Sequence, residues 1–132
     1  MEEARTRPPQ LATARRELAA AAALKVVLQA LEDAKAEDVV SIDITGKTPL
    51  ADYMVVASGR SQRHVGAIAD RLLADLKYAG ARSVRVEGQR VGDWVLIDAG
   101  DVIAHIFRPE VRVFYNLEKM WQADRPGALT MV

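Results

Sequence analysis

From about Leu11, apolar residues recur at three- and four-residue steps. Leu18, Ala21, Leu24, Val27, Leu28, Leu31 and Ala34 share one face, which predicts an amphipathic helix ending near Ala36. Val39 to Ile44 is rich in β-branched residues and reads as a strand, and Thr45 to Pro49 supplies turn chemistry. Tyr53 to Ala57 is continuously apolar, as in a strand covered on both faces, and Ser58-Gly59 breaks it. Ser61 is placed to cap a second helix whose stripe is Val65, Ile68, Ala69, Leu72, Leu76 and Ala79, with Gly80 as its stop. Arg82 to Glu87 alternates polar and apolar like a half-exposed strand, and Gly88 to Gly92 links it to a hairpin.

That hairpin, Asp93 to Phe107, reads as two strands about a tight turn. With Ala99 and Gly100 at the turn centre, alternation puts Val95, Ile97, Val102, Ala104 and Ile106 on a plain core face. Trp94, Leu96, Asp98, Asp101, Ile103, His105 and Phe107 fall on the other, and the simplest register sets His105 across from Trp94. Pro109 ends the last strand, and Val113, Phe114, Leu117, Met120 and Trp121 outline a closing helix. The order α-β-β-α-β-β-β-α predicts an α+β fold: a mixed, mostly antiparallel five-stranded sheet packed with helices. One domain is expected over residues 11–122, between a loose tail at 1–10 and a second at 123–132.

Composition narrows the chemistry. A chain of 132 residues, half of them apolar, can bury a real core. Eighteen basic and eighteen acidic residues cancel, so any electrostatic attraction to nucleic acid or membrane must be local. Cysteine is absent, which removes disulfides, thiolate catalysis and cysteine-ligated metals. The longest apolar run, near Ala19 to Ala23, is far short of the roughly 20 residues that span a bilayer, and the amino terminus lacks the apolar core of a secretion signal. A soluble cytoplasmic protein is expected.

Several linked segments resemble the Iojap family, the ribosomal silencing factors or RsfS. They are Asp52-Tyr53-Met54-Val55-Val56-Ala57-Ser58-Gly59, Ser61-Gln62-Arg63-His64-Val65 with Ala67-Ile68-Ala69-Asp70, and Val86-Glu87-Gly88. The match continues through the whole of Asp93 to Phe107 and through Phe114-Tyr115-Asn116-Leu117-Glu118-Lys119-Met120-Trp121. It covers roughly Ala22 to Trp121. The resemblance implies a fold related to nucleotidyltransferases without their activity. It also implies binding to the uL-fourteen protein of the large ribosomal subunit and a steric block of subunit joining that lowers translation when nutrients are short. By the same resemblance the hairpin strand and terminal helix carry the contact, through Trp94, Leu96, Tyr115, Leu117 and Trp121; Asp98 and His105, on the same hairpin face, are added as candidate contacts from their own chemistry. No cofactor or metal is implied.

The residues keep other readings open. Trp94 is the side-chain type enriched at binding hot spots, and equally suits a core position under the closing helix. A helix cannot send Phe114, Tyr115, Leu117, Met120 and Trp121 to one side, since neighbours differ by about 100° in direction. His105 has no nucleophile to pair with and reads as a packed or contacting histidine, and Asp98 and Asp101 as turn caps. Between residues 60 and 90, Arg60, Arg63, Arg71, Lys77, Arg82, Arg85 and Arg90 outnumber Asp70, Asp75 and Glu87, giving a solvated face or rRNA phosphate contacts led by Arg60 and Arg63. The alternative function is a metal-dependent nucleotidyltransferase-like enzyme acting on a nucleotide or RNA. It lacks convergent carboxylates, because Asp43 stands alone on its strand. Homodimerisation through the same apolar face is a third reading, in which self-pairing and ribosome binding compete.

Overall fold

A computed structural model describes the backbone of residues 9–115 and the side chains of residues 19–112. The elements are α1 (Pro9–Asp33), β1 (Glu37–Asp43), β2 (Tyr53–Ser58), α2 (Gln62–Tyr78), β3 (Arg85–Glu87), β4 (Trp94–Asp98), β5 (Val102–Phe107) and α3 (Pro109–Tyr115). The five strands form one sheet in the order β1-β2-β5-β4-β3. β2 and β5 run parallel, and the other three pairings are antiparallel. The expected α+β architecture and element order are observed.

α2 follows from its sequence almost residue by residue. Ser61 Oγ accepts the His64 backbone N–H at 3.1 Å, satisfying one of the donors a helix start leaves unpaired. Val65, Ile68, Ala69, Leu72 and Leu76 are all buried, while Ala79 is the exposed C-cap ahead of Gly80. α1 is described from Pro9 onward. It buries Ala20, Val27, Ala30 and Leu31, with Leu24, Leu28 and Ala34 half-buried, whereas Ala21, expected on that stripe, is exposed. Both helices pack on the sheet face formed by Val55, Ala57, Val95, Ile97, Val102, Ala104 and Ile106. Burying one such valine, leucine or isoleucine contributes about 1.5–3 kcal/mol, so this layer is the main source of stability.

The other sheet face holds a second cluster of Ile42, Ile44, Ala51, Met54, Val56 and Phe107, against which Val40, Trp94, Ile103 and Val111 pack partly buried. Tyr53 to Ser58 is therefore covered on both sides, as its continuous apolar run implied.

Three local expectations are corrected. β3 pairs only over Arg85–Glu87, shorter than the alternation from Arg82 indicated. α3 opens at Pro109 itself instead of near Val113: a proline that cannot extend a strand is well placed at the first turn of a helix, where its missing N–H is not needed. The hairpin turn is centred on Gly100-Asp101, one residue later than expected, with Ala99 N donating to Val102 O at 2.9 Å. A tight hairpin turn of this kind asks for positive φ at its first central residue, and Gly100 supplies it at +91° where alanine would be strained. Trp94 consequently opposes Phe107, Leu96 opposes His105, and Asp98 opposes Ile103. The pairing moves by two residues, so every side chain keeps its predicted face.

The aromatic face of the hairpin

Trp94, Leu96 and Asp98 on β4 stand beside Ile103, His105 and Phe107 on β5, because alternate residues of paired strands project to one side. Phe107 is buried as a floor, and the Trp94 ring stacks on it with centroids 5.0 Å apart. His105 lies diagonal to Trp94 and is 8% exposed. The indole Nε1–H donates to His105 Nδ1 at 3.0 Å, which fixes the imidazole as the tautomer carrying its proton on Nε2. Burial pushes the His105 pKa down to about 4, so the ring is neutral near pH 7. Trp94, Leu96 and Ile103 are half-buried, and Leu96 belongs to neither core cluster.

Asp98 closes the strand as a turn cap, its carboxylate accepting the Gly100 N–H at 2.9 Å, with Arg85 Nη2 3.9 Å away. Tyr115 is the last residue whose backbone is described, and its side chain, like all of Leu117 and Trp121, lies outside the described residues. Arg60 and Arg63 are exposed on either side of Ser61, the N-cap of α2. Arg60 pairs with Glu37 at 2.7 Å, which reduces its free charge.

Asp43 and Asp98 do not converge. Asp43 ends β1 and Asp98 ends β4, three strand spacings apart, or about 14 Å at ~4.8 Å per spacing. Asp43 accepts the Thr45 N–H at 2.9 Å. Among the described residues, no group of three or more His, Asp or Glu is arranged to hold a metal ion, and no helix is long and apolar enough to cross a membrane.

The family described as "Ribosomal silencing factor during starvation" matches residues 17–130. The chain belongs to this ribosomal silencing factor family. A Zymomonas mobilis protein named ribosomal silencing factor RsfS is 50% identical over 107 residues, covering 78% of this chain and 80% of that protein. A crystal structure of a Chromobacterium violaceum protein aligns with a TM-score of 0.74 at 41% identity, over 79% of this chain and 87% of its own. A mouse protein named for mitochondrial assembly of the ribosomal large subunit is 33% identical over 101 residues, 74% of this chain and 44% of its own length.

In this silencing-factor chain the structure adds residues that frame the face and that sequence reasoning missed. Arg108 Nε donates to Asp93 Oδ1 at 2.9 Å, and Gln62 Nε2 donates to the same oxygen at 3.1 Å, joining α2 to both ends of the hairpin. The Gln62 hydrogen bond, with Arg108 alongside, holds the Asp93 carboxyl below the usual carboxylate range. Arg112 Nη1 donates to the Asp38 carbonyl at 2.6 Å and to Ser58 Oγ at 2.8 Å, tying α3 across the ends of β1 and β2. Asp38 sits at φ +50° beside a register shift in β1, an irregular place in the strand. The sequence signal for these clasps was the two arginines near Pro109, Arg108 before it and Arg112 after it.

Proposed function

We propose that this protein docks on the uL-fourteen protein of the large ribosomal subunit through its β4–β5 face and the helix after it. The bound protein keeps the small subunit away and represses translation when nutrients are limiting. The mechanism is steric, needs no cofactor and involves no catalysis. The observation that carries the reading is the half-buried aromatic and aliphatic set of Trp94, Leu96 and Ile103, on the sheet face opposite the two long helices. A large aromatic held on a rigid strand is the kind of anchor that concentrates binding energy. Asp98 at the rim supplies negative charge that favours encounter with basic groups of a ribosomal protein.

Family membership supports a ribosomal partner, and the name of the mouse relative supports the large subunit. Tyr115, Leu117 and Trp121 extend the proposed contact along the chain, and Arg60 and Arg63 add rRNA phosphate contacts. The site of action is the cytoplasm. Self-pairing through the same face would compete with docking. The nucleotidyltransferase reading gains nothing from aspartates that cap separate turns.

Co-sedimentation with separated subunits, paired with capture by purified uL-fourteen protein, tests the proposal. Saturable binding to the large subunit and to the isolated protein is expected. Absence of both, or binding to the small subunit alone, would reject it.

A further inference from the structure

The Trp94–His105 pair contains more than packing. An indole has one hydrogen-bond donor, and here it points inward to a neighbouring strand. Among the described residues, Phe107 stacks on this ring from the directly opposed position and His105 holds its Nε1 edge from the diagonal one. The Trp94 and His105 ring planes are inclined at 39°, while His105 and Phe107 are nearly parallel at 9°. The imidazole is therefore set by the same floor that supports the indole.

We infer that His105 is a positioning residue for docking: it holds the Trp94 indole in one orientation and uses up its donor, so that the partner meets an apolar ring and need not supply an acceptor. This rests on the docking proposal above. Its consequence is a constraint on partner chemistry, since the partner group against Trp94 is an aliphatic side chain or a cation lying on the ring, not a carbonyl or carboxylate reaching for Nε1. His105 itself, almost wholly buried, works through Trp94 and not by touching the partner. Its neutral state near pH 7 keeps Nδ1 able to accept.

The test is a double-mutant cycle on affinity for purified large subunits, using His105→Phe, His105→Asn and Trp94→Phe. His105→Phe keeps a ring over Phe107 and removes the acceptor, and should weaken binding about tenfold. His105→Asn restores an acceptor near Nδ1 and should recover to within about threefold of wild type. In a Trp94→Phe background, which has no indole donor, His105→Phe should cost nothing further. An equal loss in both backgrounds, or no recovery with asparagine, would overturn the positioning role. If a His105 variant does not fold, wild type suffices: nitrogen–nitrogen coupling across the Nε1–H···Nδ1 bond should appear by NMR in the free protein and persist on binding isolated uL-fourteen protein. Its loss on binding would mean that the donor is handed to the partner, and would also overturn the proposal. A wild type that binds no large subunit sinks the docking reading and this role with it, whereas an uncoupled cycle sinks this role alone.

Discussion

Trp94 stands directly opposite Phe107 in the β4–β5 ladder, with the two rings 30° from parallel and 5.0 Å between centroids. Phe107 is 1% exposed and Trp94 only half-buried, so the pair joins the second core cluster to the proposed docking face. Such a pair adds about 0.5–1.5 kcal/mol beyond simple burial. The floor is thus rigid where the anchor needs support.

Trp94→Ala removes that anchor. Affinity for the large subunit should fall by about 2 kcal/mol or more, roughly thirtyfold, in a titration against labelled subunits. Circular dichroism should show the fold retained. A folded variant with undiminished affinity would confine Trp94 to packing.

Gly88 precedes the same strand at φ +83°, and a Cβ there would overlap the Trp94 carbonyl oxygen, which is backbone and cannot move aside cheaply. Gly88→Ala should therefore destabilise the domain and disturb Trp94 fluorescence together. Gly100→Ala serves as the comparison: it has the same sign of φ but open space around it, and should cost only about 1 kcal/mol. Equal midpoint shifts in urea for the two variants would contradict the close approach.

His105 makes stability depend on pH in a calculable direction. Its pKa falls from 6.5 unfolded to about 4 folded because burial disfavours the charged ring. Between those values the unfolded chain binds more protons, so stability is full above about pH 6.5, declines as pH falls, and levels off below about pH 4. At ~1.4 kcal/mol per unit the total loss is about 3 kcal/mol. Urea denaturation at pH 7 and pH 4.5 should show most of this loss in wild type and much less in His105→Asn. A wild-type difference no larger than that of the variant would place the acid sensitivity elsewhere.

The sequence disclosed α2 and the helix-facing side of the sheet because each was specified several times over: a capping serine, a five-residue buried stripe and a terminal glycine for α2, and period-two alternation for β4 and β5. The hairpin register was not disclosed. Gly100 suits either central position of a two-residue turn, and only the demand for positive φ at the first of them selects Gly100-Asp101 over Ala99-Gly100. That Trp94 and His105 meet was legible, since both lie on one face, but the expected register set them directly opposite, whereas they meet on the diagonal through a hydrogen bond. Pro109 was ambiguous for a physical reason, since it ends a strand and opens a helix equally well. The clasp from Arg112 to the Asp38 carbonyl spans 74 positions and joins a side chain to a backbone oxygen, which no local pattern encodes. That this face carries a contact is what the family resemblance implies. Of the contact residues it nominated, Leu117 and Trp121 lie outside the described residues, as does the Tyr115 side chain.

The most direct measurement is the yield of joined ribosomes when separated large and small subunits are mixed with increasing amounts of this protein. The account predicts that wild type lowers the yield in a saturable way, with large subunits accumulating in complex with the protein, and that Trp94→Ala needs roughly thirtyfold more protein for the same effect. An undiminished yield of joined ribosomes at saturating wild-type protein would contradict it.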